Sequence, residues 1–179
     1  MSAPDTTALM VRWLTHDLAS PVATALTASE LLGDTADAEI NGLVQDAARR
    51  LAARLRLVRT AFAPGEAAIG NRALETLIRA GIGDTPLVWA RDGDCSGAEA
   101  SLIAGAALLL ADLRRAAPLT VADDGVRWGD AWAIPAGVAE ALAGGAPGDP
   151  RSAVAAMVAA AAARQGASLT ATADGIGWR

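Results

Sequence analysis

The apolar positions in the first third of the chain fall at helical spacing. Leu14, Leu18, Ala25 and Leu32, joined by Val22 and Leu26, keep to one face of a helix that stops at Gly33-Asp34. A second pattern begins near Asp37. There Ile40, Val44, Ala47, Leu51, Leu55, Val58 and Phe62 recur every three or four residues, which is the seam of a coiled coil. Ser2 and Pro4 offer helix-start chemistry. The short link from Gly33 to Ala36 makes the two helices antiparallel neighbours. At ~1.5 Å per residue each helix is ~40 Å long, and two alone cannot bury a full apolar stripe. A second hairpin, giving a four-helix bundle across a homodimer, is the expected cover. The alternative is a monomer whose second domain folds onto the hairpin.

Past a linker at Ala63-Pro64-Gly65 the period changes. Arg72 to Ala80 predicts a short helix and Leu87 to Ala90 a strand. Glu99 to Ala116 is apolar almost all round, so it predicts a deeply buried helix, stopped before Pro118. Leu119 to Ala122 and Val126 to Trp128 flank the turn Asp123-Asp124-Gly125 and predict a hairpin. Pro135 to Ala143 predicts a short helix. The glycine-rich stretch Gly144 to Gly148 has no following Lys, so it is no P-loop; it reads as a plain loop, with a lid remnant as the alternative. It leads into Asp149-Pro150, an N-cap and first-turn pair for a helix over Arg151 to Gln165. Ala167 to Thr172 and Gly175 to Trp178 predict a closing hairpin. The expected class is α+β: a helical hairpin over residues 1–64, then a small sandwich over 65–179, mostly antiparallel with helices on one face.

Composition narrows the function. Hydrophobic residues make up 53% of the 179 positions, which excludes a disordered chain. All 15 basic residues are Arg, yet the net charge is −5, which argues against a nucleic-acid partner. A single Cys, Cys95, cannot form an internal disulfide; in its polar loop it reads as an idle thiol in a reducing compartment. Met1 to Asp5 lacks the basic and apolar start of a secretory signal. The longest apolar runs, Ala104 to Ala111 and Ala153 to Ala163, fall short of the ~20 residues a membrane helix needs. The expectation is a cytoplasmic protein with neither a nucleic-acid nor a membrane partner.

The chemistry gathers around the only histidine. His16 follows Leu14 by two residues, ~200° round the helix, so it faces water. A solvent-facing imidazole is largely neutral at physiological pH, and a neutral ring nitrogen is a nucleophile toward phosphorus. Asp17 stands where it could orient the ring or steady its charged form. Pro21 cannot donate to the carbonyl of Asp17, so the helix is expected to bend or loosen just past the histidine.

The string His16-Asp17-Leu18-Ala19-Ser20-Pro21 resembles the H-box of histidine-kinase dimerisation helices, H-[DE]-x-x-x-P. Arg59-Thr60-Ala61-Phe62-Ala63 is similar to a second motif, R-x-A-F-G, with Ala63 in place of Gly. From about Leu9 to Trp178 the order of elements resembles the ChpT-like histidine phosphotransferases of alphaproteobacterial phosphorelays. That resemblance implies a homodimer with a central four-helix bundle and a degenerate ATPase-like sandwich. It implies His16 as the phosphoacceptor between receiver aspartates, those of a hybrid histidine kinase and of response regulators. The receiver would supply Mg²⁺, and the chain itself no cofactor or metal site. An ATP-dependent kinase core is the alternative, but a kinase needs an Asn-bearing helix and an Asp-x-Gly-x-Gly turn. The candidate helix Leu102 to Ala107 has no Asn, and no such turn occurs. A non-catalytic dimeric scaffold or anti-sigma-like binding module is a further alternative.

The antiparallel hairpin sets His16 opposite residues near 55, the level of Arg54, Arg56 and Arg59. Arg56 and Arg59 are expected to dock the acidic receiver cleft, where guanidinium forks suit oxyanions. Trp13, Ala19, Ser20, Pro21, Val22 and Ala23 would line the docking patch, with Trp13 equally placed to be core.

Overall fold

The computed structural model describes residues 5–31, 38–63 and 65–179. Ser2 and Pro4, the link from Gly33 to Ala36 and the linker's Pro64 therefore lie outside the described residues. The first helix, α1, spans Thr6–Leu31 and passes through Pro21 without interruption. Asp5 opens it, its carboxylate accepting from Thr7 N at 2.9 Å. The second, α2, spans Ala38–Phe62 and packs along α1 as expected.

The remainder runs α3 (Asn71–Gly81), β1 (Leu87–Ala90), α4 (Gly97–Leu113), β2 (Leu119–Ala122), β3 (Gly125–Trp128), α5 (Ala136–Leu142), α6 (Pro150–Arg164), β4 (Leu169–Ala171) and β5 (Gly175–Trp178). The five strands form one sheet in the order β1-β2-β3-β5-β4. The β1–β2 pair is parallel, with Leu87 opposite Leu119, because α4 crosses over between them. All other pairs are antiparallel, so the class is the α+β expected.

Alternation fixes which sheet face is buried. Leu119, Val121, Val126, Trp128 and Ile176 point into the core, and α4 lies against β2 and β3. From Ala100 to Ala111 every residue of α4 is buried, as its unbroken apolar sequence predicts. It stops at Leu113 rather than Ala116, because Arg114 leaves helical geometry (φ −138°, ψ 86°), and the left-handed Ala116 (φ 62°) lies in the turn that follows. On its other side α4 meets α2 and α6. Gly105 permits that approach: a Cβ there would come within 3.1 Å of Val158 Cγ2 on α6. The Ser101 hydroxyl donates to Ala61 O at 2.6 Å and ties α4 to the end of α2. Gly81 ends α3 against α2, where a Cβ would lie 2.5 Å from that of Leu57.

The hairpin thus packs on the sandwich of its own chain, which changes the burial expected of it. Trp13, Ala47, Leu57 and Ala61 are buried, and Met10, Leu14, Val58 and Phe62 pack against the core. Val22 (39% exposed), Leu26 (60%) and Leu55 (43%) belong to the predicted stripe and seam but remain in solvent, as do Val11 and Leu43. The reason is that α2 carries two apolar faces. The Leu57–Ala61 face seals onto α4; along the heptad seam Ala47 is buried, Ile40, Val44, Leu51, Val58 and Phe62 are half-buried, and Leu55 is exposed. Cys95 also departs from expectation: it is buried and accepts from Arg91 Nη1 at 2.6 Å, and burial pushes its thiol up.

Candidate functional site

Successive residues on a helix are ~100° apart, so the residues around His16 on α1 face different ways. Trp13 and Asp17, four apart, turn toward the sandwich; His16 turns outward and is exposed. Trp13 is therefore core rather than an exposed docking residue. Its ring packs edge-to-face on Phe62, centroids 6.1 Å apart, and lies beneath the Arg54 guanidinium, 5.9 Å from Cζ.

Arg54 links three elements. Its Nε and Nη2 donate to the two oxygens of Asp17 at 2.7 and 2.9 Å, a bidentate pair between α1 and α2. Nη2 also donates to Asp112 near the end of α4, at 2.6 and 2.8 Å, and Nη1 to Gly81 O at 3.2 Å. The three side chains are 12–23% exposed. Burial works against the Arg54 charge, but the hydrogen bonds it donates to Asp17 and the two carboxylate charges more than offset it and hold its pKa above the ordinary value. Asp112 goes the other way: burial pushes its carboxyl up, and Arg54 offsets only part of that.

This clamp corrects the role expected of Asp17. Both of its oxygens are taken by Arg54, and no hydrogen bond joins it to His16. It anchors the helix segment that presents the histidine instead of orienting the ring.

His16 opens onto a cleft of about 390 Å³. Arg12 and Trp13 line it from α1, Asp112 and Arg115 from the end of α4, and Asp149, Pro150 and Arg151 from the start of α6. Asp149 accepts from Ser152 N at 2.8 Å, and the Ser152 hydroxyl reaches back to Asp149 N at 2.9 Å, a capping box that fixes this helix start beside the histidine. A larger cleft, about 610 Å³, lies on the other side of Asp17 between the hairpin and the α3 and α4 ends; Ser20, Pro21 and Thr24 form part of its wall. Ala19, Ser20, Val22 and Ala23 are exposed on α1, and Pro21 is half-buried. Arg56 and Arg59 are exposed on α2 and form no ion pair among the described residues. Arg54, which lies at the same level, is the arginine that reaches α1.

Sequence reasoning missed Arg12, Asp112, Arg115 and Arg151. No motif holds them, and only the packing of α4 and α6 against α1 brings them to His16. Among the described residues no group of three or more His, Cys, Asp or Glu side chains is arranged to hold a metal ion, and no helix is long and apolar enough to cross a membrane.

No protein-family model matches the chain, and no curated protein matches it. Among solved structures it is similar to a bacterial phosphotransferase determined at 1.7 Å, with a TM-score of 0.74. The alignment covers 99% of this chain and 96% of the other at 23% identity, so the two share a fold over nearly their whole length.

Proposed function

We propose that this chain is a histidine phosphotransferase of a two-component phosphorelay, of the ChpT-like kind. A phosphoryl group passes from one receiver aspartate to His16 and on to another. The observation that carries the reading is the placement of the only imidazole: solvent-facing, on a helix clamped from below, at the mouth of an arginine-lined cleft. The fold shared with a bacterial phosphotransferase supports it.

In the transfer a neutral ring nitrogen of His16 attacks phosphorus. A P–N bond forms as the P–O bond to the donor carboxylate breaks, and the proton of the other ring nitrogen leaves to solvent. Little covalent chemistry falls to the protein, so positioning and charge stabilisation dominate. Mg²⁺ would arrive with the receiver. Asp17 and Arg54 act as positioning residues. Ala19, Ser20, Pro21, Val22 and Ala23, with Arg56 and Arg59, form the receiver-facing surface.

The exposed Val11, Val22 and Leu26 on α1 and Leu43 and Leu55 on α2 support a homodimer through the hairpins. Phosphorelay reconstitution tests the function. A phosphorylated cognate receiver should label the wild type and leave His16→Ala unlabelled, and ATP with Mg²⁺ alone should label neither. Labelling of His16→Ala would overturn the assignment.

A further inference from the structure

We propose that Arg12, Arg115 and Arg151 form an oxyanion cleft that holds the phosphoryl group on His16, so that the sandwich takes part in the chemistry and does not only frame the hairpin. The proposal rests on the phosphotransferase reading above and names a subsite within it.

Free donors stand beside hydrogen-bonded acceptors in this cleft. Three carboxylates and three guanidiniums line this cleft. The carboxylates are committed elsewhere. Asp17 and Asp112 share Arg54, and Asp149 caps the first turn of α6. The guanidiniums are not committed: none of the three forms an ion pair or hydrogen bond among the described residues. Where carboxylates are within reach elsewhere the chain forms such pairs, as Arg79 with Glu75, Arg91 with Glu99, Arg114 with Asp130 and Arg127 with Asp124, while Arg56, Arg59, Arg72, Arg164 and Arg179 also form no ion pair among the described residues. Three arginines from three separate stretches, none ion-paired among the described residues, therefore line the same cleft as the one imidazole, Arg115 bordering the larger cleft as well; together with Arg54 they outnumber the carboxylates Asp17, Asp112 and Asp149 by one.

Each comes from a fixed base. Arg12 sits one turn before His16 on the same helix. Arg115 follows Arg114, whose Nη2 donates to Asp130 Oδ2 at 2.8 Å and so pins the chain at the end of α4. Arg151 occupies the first turn of α6, held by the Asp149–Ser152 capping box, where the helix end itself favours negative charge. Guanidinium forks match the non-bridging oxygens of a phosphoryl group, and fixed cations stabilise it without reorganising during transfer. The ligand class is a tetrahedral oxyanion, whether a phosphoryl group bonded to His16 or free inorganic phosphate.

Two measurements separate this proposal from the reading beneath it. The first is binding of inorganic phosphate to unphosphorylated wild type, followed by NMR of the arginine side chains and the single imidazole. Millimolar binding that weakens at least ~5-fold in Arg115→Ala/Arg151→Ala, but not in Arg164→Ala at the far end of α6, is the expected result. The second uses phosphoramidate as a small donor. The P–N bond to ammonia breaks as the P–N bond to His16 forms, so no receiver is needed. The double variant should label about ten times more slowly than wild type, with unchanged circular dichroism and melting. Phosphate binding without any labelling of His16 would leave the cleft standing and refute the phosphoacceptor reading. Labelling at the wild-type rate in the double variant, or phosphate affinity equal in all three proteins, would overturn the cleft.

Discussion

Removing Arg54 should do more than delete three hydrogen-bond partners. In Arg54→Ala, Asp17 and Asp112 face each other with nothing between them, since both reach the same Nη2 nitrogen, at 2.9 and 2.6 Å. At a separation of roughly 5 Å and an effective dielectric of about 20, two carboxylates repel by about 3 kcal/mol. Their burial withholds the water that would otherwise compensate, and breaking a buried pair typically costs about 3–5 kcal/mol. With a urea m-value of about 2 kcal/mol/M, that loss moves the midpoint down by about 2 M. Tryptophan fluorescence can follow the transition, because Trp13 lies against the clamp. Adding Asp112→Asn removes one of the two charges and should recover about half of the loss. Asp112→Asn alone should cost little at neutral pH. The sign of the pH dependence follows from the raised carboxyl: the folded state holds the Asp112 proton more tightly than the unfolded chain, so its contribution is fully present below the ordinary carboxylate pKa and is lost as pH rises through the raised value. Without Arg54 the Asp112 carboxyl rises further, so the stability gap to wild type should widen with pH. A cost below about 1 kcal/mol for Arg54→Ala, or no rescue by Asp112→Asn, would refute the claim that the clamp is an electrostatic unit.

Other outcomes follow from single features. His16→Ala should leave the urea midpoint within about 0.5 kcal/mol of wild type, because the side chain is exposed, while phosphoryl uptake is lost. Gly81→Ala should cost about 1–3 kcal/mol in chemical denaturation, because its methyl meets the Leu57 side chain. Leu55→Asp should shift light scattering from a dimer mass toward 18.0 kDa while the monomer stays folded, because Leu55 is already 43% exposed in the single chain. Arg59→Ala should slow receiver-dependent transfer without changing the rate from phosphoramidate, which separates docking from chemistry.

The strand and helix order was legible because each element carries its own period or stop signal. Leu87 to Ala90 is a strand as its β-branched and aromatic content implies, and Asp149-Pro150 starts α6 as its capping chemistry requires. His16 was legible because it stands alone in a recognisable string and its spacing from Leu14 turns it outward. The Arg54 clamp was half legible. Hairpin geometry sets Arg54 level with His16, but Asp112 enters only when α4 packs beneath, and no local pattern encodes that. The burial of Leu57 in place of Leu55 was missed for a related reason. Heptad spacing finds the stripe that could meet another helix pair, whereas Leu57 and Ala61 answer to α4 of the same chain. Arg115 and Arg151 read as ordinary surface charge until tertiary contacts bring them to one place.

The enclosure of α4 has a consequence for how such a protein changes over generations. A helix walled in on every side, with Gly105 at a near-contact and Ser101 bonded across to α2, cannot slide or swivel without dissolving the interior around it. Substitutions that leave the scaffold's stability almost untouched are therefore confined to the outer rim of the hairpin, where side chains already stand in solvent. Sequence change over time gathers on that rim while the central post stays the same.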